Sequence, residues 1–185
     1  YVVGYGSVPL SPIIKTTNGG LNWFRQTSFT QSPLECIKIV NLDTGLISGS
    51  FGYIRRTTNG WITWNYVNSG VPYTLSGISY ASIESIFIVG SNGTIIKSTN
   101  GGLDWFNLVS NATEHLGGIY FLNELTGYAV GANGTILKTT TGGIVGINLI
   151  SNEIPEDFSL KQNYPNPFNP VTHIAVSYTH LTLPT

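Results

Sequence analysis

One motif recurs four times in this 185-residue chain, and its constant spacing constrains the fold more than any other feature. The four copies begin at Lys15, Arg56, Lys97 and Lys138, each 41 residues after the one before. They read KTTNGGLNW, RTTNGWITW, KSTNGGLDW and KTTTGGIVG. A fixed period of this length is typical of repeat architectures, in which each unit buries its apolar surface against its neighbours.

The sequence between the copies also repeats, and it predicts β-strands. Apolar runs that end in Gly precede short turns, and Asn92-Gly93 and Asn133-Gly134 predict type I′ hairpins because both residue types tolerate positive φ. A further strand fits residues 76–80 and 117–121. Four strands in 41 residues match one propeller blade, and no segment shows apolar residues at helical spacing.

The sequence therefore predicts an all-β fold: a partial β-propeller of about four four-stranded, 41-residue blades over residues 1–150, followed by an extended C-terminal segment. The first blade lacks sequence for its opening strand, and the chain begins at Tyr1 without Met or a signal peptide, so we expect the propeller to be N-terminally incomplete.

Composition narrows the classes of partner. Charged residues make up 9% of the chain and the net charge is -1, which argues against nucleic acid as a partner. No apolar stretch approaches the roughly 20 residues of a membrane span, so no transmembrane segment is expected. The single cysteine, Cys36, lies in an apolar run and is expected to be a buried thiol.

The repeated motif resembles the Asp box, Ser/Thr-x-Asp-x-Gly-x-x-Trp, of sialidase-like and photosystem II assembly-factor-like propellers, which carry BNR repeats. The matching positions are Thr16, Asn18, Gly20 and Trp23, then Thr57, Asn59 and Trp64, then Ser98, Asn100, Gly102 and Trp105. Asn replaces Asp throughout, Trp61 replaces a glycine, and the fourth copy has Thr141 and Gly146 in place of Asn and Trp.

We interpret the motif as a turn device. Its Asx side chain is expected to accept backbone N–H groups two residues on, its Gly supplies positive φ, and its Trp covers the turn. The resemblance implies that the box joins the two outer strands of each blade, away from a ligand face.

The C-terminal part carries a second resemblance. Residues 151–156 are predicted as a linker, and residues 157–175 resemble the start of a type IX secretion system C-terminal sorting domain through the run FSLKQNYPNPFNP. Its motif residues are Phe158, Gln162, Asn163, Tyr164, Pro165, Asn166, Pro167, Phe168, Asn169 and Pro170. The resemblance implies export to the outer cell surface or medium, with the secretion machinery as a partner. Residues 176–185 depart from it and are predicted to be a non-native tail.

The sequence shows no convergent catalytic set. A sialidase needs three converging arginines, whereas Arg55 and Arg56 are neighbours on a strand whose side chains alternate between faces. Asp43, Glu84 and Glu124 are interpreted as solvated residues at equivalent turn positions. The three histidines lack metal-ligand spacing, so neither a metal nor a cofactor is predicted.

Recognition is expected on the loops between blades and between the second and third strands, because loops on a rigid scaffold often carry it. The candidate binding residues are Tyr5, Phe51, Tyr73 and His115. The leading hypothesis is a secreted, non-catalytic propeller that binds a protein or glycan. Two alternatives are a fragment of an Asp-box glycoside hydrolase, sialidase-like or glucanase-like, with its catalytic residues elsewhere, and an assembly factor, which the sorting segment argues against.

Overall fold

The computed structural model describes residues 1–4, 12–27, 30–143 and 148–151, together with the backbone of two short strands further on. These residues form antiparallel β-sheets that follow the chain in order, joined by turns and two short 3-10 segments at Ser50–Gly52 and Ala132–Gly134. The prediction of an all-β partial propeller is confirmed. Within this part of the chain, no helix has the length and apolar character needed to cross a bilayer.

Each sheet corresponds to one 41-residue unit. Blade 1 has three described strands, and blades 2, 3 and 4 have four each. In chain order the strands are β1 (Val2–Val3), β2 (Ile13–Lys15) and β3 (Phe24–Gln26); β4 (Leu34–Ile39), β5 (Gly45–Gly49), β6 (Tyr53–Thr57) and β7 (Asn65–Asn68); β8 (Leu75–Tyr80), β9 (Ile86–Gly90), β10 (Ile95–Ser98) and β11 (Phe106–Asn107); and β12 (Leu116–Phe121), β13 (Gly127–Gly131), β14 (Ile136–Thr139) and β15 (Asn148–Ser151). A separate two-stranded sheet pairs β16 (Phe158–Leu160) with β17 (Val176–Tyr178).

The hairpins between the second and third strands of blades 2, 3 and 4 share one geometry. Asn92 and Gly93 have φ of 58° and 61°, and Asn133 and Gly134 have φ of 54° and 71°. Both φ values are therefore positive in each hairpin, as a type I′ turn requires, and the prediction for these two turns is confirmed. The equivalent hairpin of blade 2 places Phe51 at φ 58°, where blades 3 and 4 have Asn.

The core lies between blades rather than inside any one of them. Leu46 and Ile54 of blade 2 pack with Leu75, Ile86 and Ile88 of blade 3. Similar clusters join blade 1 to blade 2 and blade 3 to blade 4. Because blade 3 has a neighbour on each face, every residue of its strand β9 is buried. The innermost strand β8 contacts the innermost strands β4 and β12 of the two neighbouring blades, as expected for blades arranged around a common axis.

Candidate functional site

Hydrogen bonds divide the loops between the two ends of the propeller. At one end, the hairpin amides of Gly52 and Gly93 donate to the carbonyls of Tyr73 and Glu114 at 2.7 and 2.8 Å, and Ala132 donates to His115 at 2.8 Å. We call this the hairpin end; it comprises hairpins 50–53, 91–94 and 132–135 and linkers 30–33, 69–74 and 108–115.

The box-like turns lie at the opposite end, with the turns that join the first and second strands of each blade. The backbone amides of Gly60, Gly101 and Gly142 donate to the backbone carbonyls of Asp43, Glu84 and Leu125 at 3.2, 3.0 and 2.7 Å. We call this the box end. These bonds also correct one alignment: Leu125, not Glu124, is the counterpart of Asp43 and Glu84, so Glu124 lies one position earlier in its turn. The three carboxylates are exposed turn residues.

Side-chain oxygens hold each box turn together. In the third copy the Ser98 hydroxyl donates to Asn100 Oδ1 at 2.9 Å and accepts the Gly102 amide at 2.8 Å. Thr16 makes the same contacts with Asn18 and Gly20, at 2.9 Å in both cases. The hydroxyl therefore bridges the turn that the two glycine-position residues close with positive φ.

The expectation about the Asx side chain needs correction. Asn18, Asn59 and Asn100 accept backbone amides four residues on, from Asn22, Thr63 and Asp104 at 2.9, 3.1 and 3.0 Å. The amides two residues on from Asn18 and Asn100, those of Gly20 and Gly102, instead donate to the hydroxyls of Thr16 and Ser98 at 2.9 and 2.8 Å. The Asx oxygen thus spans the wider part of the turn, because the hydroxyl already occupies its start.

The box tryptophans pack mainly against the preceding blade. Trp64 is 5% exposed and joins a cluster with Ile13 of blade 1, and Trp105 packs against the cluster between blades 2 and 3. Trp23, with no preceding blade among the described residues, is 45% exposed and lies over its own Gly20. Trp23 therefore only covers its turn, whereas Trp64 and Trp105 also close the space between blades.

Trp61 takes the place of the second box glycine at φ 72°, a backbone region that costs a bulky residue free energy. Its indole N–H donates to the Leu42 carbonyl at 2.6 Å, and its ring packs on Tyr1 and Trp64 with centroids 4.5 and 5.4 Å away. The ring also covers Gly45, where a Cβ would collide with it. Packing between blades 1 and 2 therefore offsets the strain.

Basic residues that begin the box motif bind the next blade. Arg56 Nε donates to the Gly101 carbonyl at 2.6 Å, and Lys97 Nζ donates to the Gly142 carbonyl at 2.9 Å. Burial lowers the pKa of the Lys97 amine, and the nearby Glu124 carboxylate opposes that shift. Arg55 instead binds the Trp64 carbonyl of its own blade at 2.6 Å. These arginines are engaged in holding the fold.

The structure places three of the four candidate binding residues at the hairpin end. Phe51 is 77% exposed at the tip of its hairpin, and Tyr73 is 41% exposed in the following linker. His115 is exposed, with Nδ1 3.4 Å from the Ser91 hydroxyl. Tyr5 lies outside the described residues. So do the sorting-motif residues Gln162, Asn163, Tyr164, Pro165, Asn166, Pro167, Phe168, Asn169 and Pro170, and of Phe158 only the backbone, in β16, is described.

A cleft of about 260 Å³ opens at the hairpin end of blade 4. Linker residues 111–114 form one wall, and Asn133, Thr135 and Leu149 form the other. Asn133 Nδ2 donates to Glu114 Oε2 at 2.9 Å across the cleft. The sequence predictions omitted Glu114, although it is the one acidic residue in the segments of this end and could have been found on that ground.

The described residues contain no group of three or more His, Cys, Asp or Glu side chains placed to hold a metal ion. Cys36 is partly buried beside the cluster between blades 2 and 3, and burial raises the pKa of its thiol. The hairpin end therefore combines exposed rings, a polar cleft and a frame of backbone hydrogen bonds.

Fold and loop arrangement together define the chain as a partial β-propeller. Solved structures of YCF48, a β-propeller, are similar to it. One, described as "YCF48 bound to D1 peptide", has a TM-score of 0.57 and 17% identity, and the match covers 64% of this chain and 39% of that one. Another, YCF48 from Cyanidioschyzon merolae, has a TM-score of 0.57 and 22% identity, with coverage of 66% and 41%.

The chain thus spans about two fifths of the length of these YCF48 structures. At this level of identity the similarity concerns the fold. No protein-family model matches the sequence, and neither does any curated protein.

Proposed function

We propose that this chain is part of a non-catalytic β-propeller scaffold that binds a protein or glycan partner at its hairpin end and is exported to the cell surface or medium through its C-terminal segment. The observation that carries the binding proposal is Phe51. A large aromatic side chain stands 77% exposed at φ 58°, at the position where blades 3 and 4 have Asn.

Neither packing nor backbone preference accounts for Phe51. Positive φ is costly for a bulky residue and is far better tolerated by Asn. An exposed ring gains little free energy from burial, so packing within the chain does not offset the backbone strain at this residue. Backbone strain of this kind concentrates at binding sites, and aromatic side chains are enriched at the centres of interfaces. The description of one YCF48 structure as bound to a peptide adds support for a polypeptide ligand.

A matched pair of variants tests the binding proposal. Phe51→Asn introduces the residue found in the hairpins of blades 3 and 4, and Leu42→Asn removes a side chain of similar exposure at the box end. Both proteins and the parent would be probed on peptide and glycan arrays. We expect Phe51→Asn to weaken the best ligands about tenfold or more while Leu42→Asn binds as the parent does. Equal binding by all three proteins would contradict the proposed surface.

The export proposal rests on the order of residues from Phe158 to Pro170. The chain would be expressed behind an export signal in a bacterium with a type IX system and in a strain lacking that system. Release that requires the system, and that is lost in Tyr164→Ala but retained in Ser159→Ala, would support the proposal. Release in both strains, or retention in both, would contradict it.

A further inference from the structure

The charges of the propeller are distributed unevenly between its two ends. Every lysine and arginine among the described residues lies in a strand, namely Lys15, Arg25, Lys38, Arg55, Arg56, Lys97 and Lys138. The segments of the hairpin end contain no lysine or arginine. Their one carboxyl side chain is Glu114, and their one histidine is His115. A second carboxylate, Glu35 of β4, lies 3.5 Å from the Ser50 hydroxyl of hairpin 50–53. Because these segments contain no fixed cation, the fixed charge at this end is negative.

The cleft presents that carboxylate in a defined orientation. Asn133 holds one oxygen of Glu114 at 2.9 Å, and the other oxygen has no hydrogen-bond partner within the described ranges. The backbone of Glu114 is also fixed, because its carbonyl accepts the Gly93 amide. Asn111 and Thr113 add polar groups, and the half-exposed Leu149 adds an apolar wall. A long cationic side chain matches this combination, since its stem can lie on Leu149 while its head meets the carboxylate.

Backbone hydrogen bonds connect the segments of the cleft to the aromatic part of the hairpin end. The Gly52 amide binds the Tyr73 carbonyl, the Ser91 amide binds the adjacent Thr74 carbonyl, and the Gly93 amide binds the Glu114 carbonyl. These bonds connect Phe51, Tyr73 and Glu114 through successive hairpins and linkers. An extended segment that crosses this end could therefore meet exposed rings and the carboxylate together, and aromatic faces attract cations as well.

We infer that the cleft between linker 111–114 and Asn133 binds a lysine or arginine side chain of a partner polypeptide lying across the hairpin end. This inference rests on the proposed function and specifies the chemistry of the partner. A polypeptide is favoured over a neutral glycan because the site offers a carboxylate, free of competing fixed cations on its own segments, to which a neutral sugar brings no complementary charge.

Capped eight-residue peptides provide the test. They would share one background with two tyrosines and differ at a central position occupied by Lys, Arg, Gln or Glu. Fluorescence anisotropy would measure their binding to the parent, to Glu114→Gln and to Glu84→Gln, which removes a carboxylate at the box end. We expect the Lys and Arg peptides to bind about tenfold more tightly than the Gln peptide, and the Glu peptide to bind most weakly.

Glu114→Gln should abolish the preference for Lys and Arg, whereas Glu84→Gln should retain it, and added salt should reduce it in the parent. Thermal unfolding of each variant checks that it is folded. Binding of all four peptides with equal affinity, sensitive to Phe51→Asn, would overturn the inference and leave the proposed function standing. Binding of a glycan but of no peptide, weakened by Phe51→Asn, would also overturn the inference and leave the proposed function standing. Absence of binding from both classes would overturn both.

Discussion

The two ends of the propeller are built from the same repeat but differ in what varies. At the box end the same contacts recur in several blades. A hydroxyl bridges the turn in blades 1, 3 and 4, an Asn oxygen accepts the amide four residues on in blades 1, 2 and 3, and a basic side chain binds the next blade in blades 2 and 3. At the hairpin end the backbone bonds recur while the side chains at the tips change from Phe51 to Asn92 and Asn133.

The difference shows how a repeat protein can separate folding from recognition. Where every blade needs the same turn, similar residues form it. The backbone strain of a change such as Trp61 must then be offset by local packing. Where the backbone alone fixes the hairpin, the outward side chain can differ in each blade. The predictions below test whether the frame of the hairpin end is as rigid, and its tips as independent of folding, as this comparison implies.

The largest effect is expected from Gly93→Ala at the hairpin end. Gly93 has φ 61°, and an added Cβ would collide with the carbonyl of Ala112 in the linker. Strain and overpacking together should reduce the free energy of unfolding by about 3 kcal/mol or more, measured by chemical denaturation. Gly70→Ala is the matched control, because φ is 74° there but no atom lies within 4 Å of the new Cβ. Its cost should be about 1 kcal/mol, and equal losses would contradict a rigid frame.

A smaller loss is expected from Ser98→Ala at the box end. Ser98 is fully buried, and its hydroxyl is the acceptor for the Gly102 amide. Removing it leaves a buried donor without that partner, which should cost about 2 kcal/mol. Thr16→Ala removes the same bond in blade 1, where the turn is more exposed and water can replace the hydroxyl; about 1 kcal/mol is expected there. If the two losses were reversed, burial would not be what separates these turns.

Exchanging hairpin tips should change stability in opposite directions. Phe51→Asn relieves strain at φ 58° and should raise the free energy of unfolding by about 1 kcal/mol, even though it is expected to weaken ligand binding. Asn92→Phe introduces the same strain in blade 3 and should lower the free energy of unfolding by a similar amount. A loss of stability in Phe51→Asn would show that the ring supports folding rather than recognition.

The smallest effect concerns pH and the bond from Lys97 to blade 4. Because burial lowers the pKa of this amine below its usual 10.5, the unfolded chain keeps the proton to a higher pH than the folded one. The contribution of Lys97 to stability should therefore rise with pH between its lowered folded-state pKa and 10.5. The stability difference between the parent and Lys97→Met, followed across alkaline pH, should show this rise.

The stability difference between the parent and Lys97→Met also cancels the effects of other groups that titrate at alkaline pH. Burial raises the pKa of Cys36 and of Tyr80, so each contributes a fall in stability at alkaline pH, and both contributions are common to the two proteins. Glu124→Gln provides a second comparison. It removes the carboxylate that opposes the shift, so the rise assigned to Lys97 should become larger. A flat difference curve would show that the amine is not effectively buried.

Much of the fold could be predicted from the sequence because the repeat encodes it in local terms. The 41-residue period gave the blades, and Asn92-Gly93 and Asn133-Gly134 gave the hairpins, since positive φ is a property of the residues themselves. The placement of the box turns between the two outer strands, away from a ligand face, was an implication of the resemblance to Asp-box propellers. The hairpins need information from only one unit, and the period needs only a comparison of units along the sequence.

Features that depend on neighbouring blades were not predictable in the same way. No local pattern shows that Trp61 packs on Tyr1, that Arg56 reaches Gly101, or that Trp64 closes a space beside blade 1. The candidate site divides similarly: Phe51, Tyr73 and His115 were predicted as loop residues, whereas the contact of Glu114 with Asn133 across the cleft is visible only in the structure. The binding roles of these residues stay predictions.

The location of the apolar clusters between sheets has a consequence for how the chain loses its structure. Since no blade encloses a core of its own, detaching one blade would expose its partner's inner surface and break the bond from Arg56 or Lys97 at the same time. Melting should therefore spread along the array through shared boundaries rather than proceed by independent steps. An isolated 41-residue unit would have no means of staying ordered, so cooperativity here belongs to the junctions.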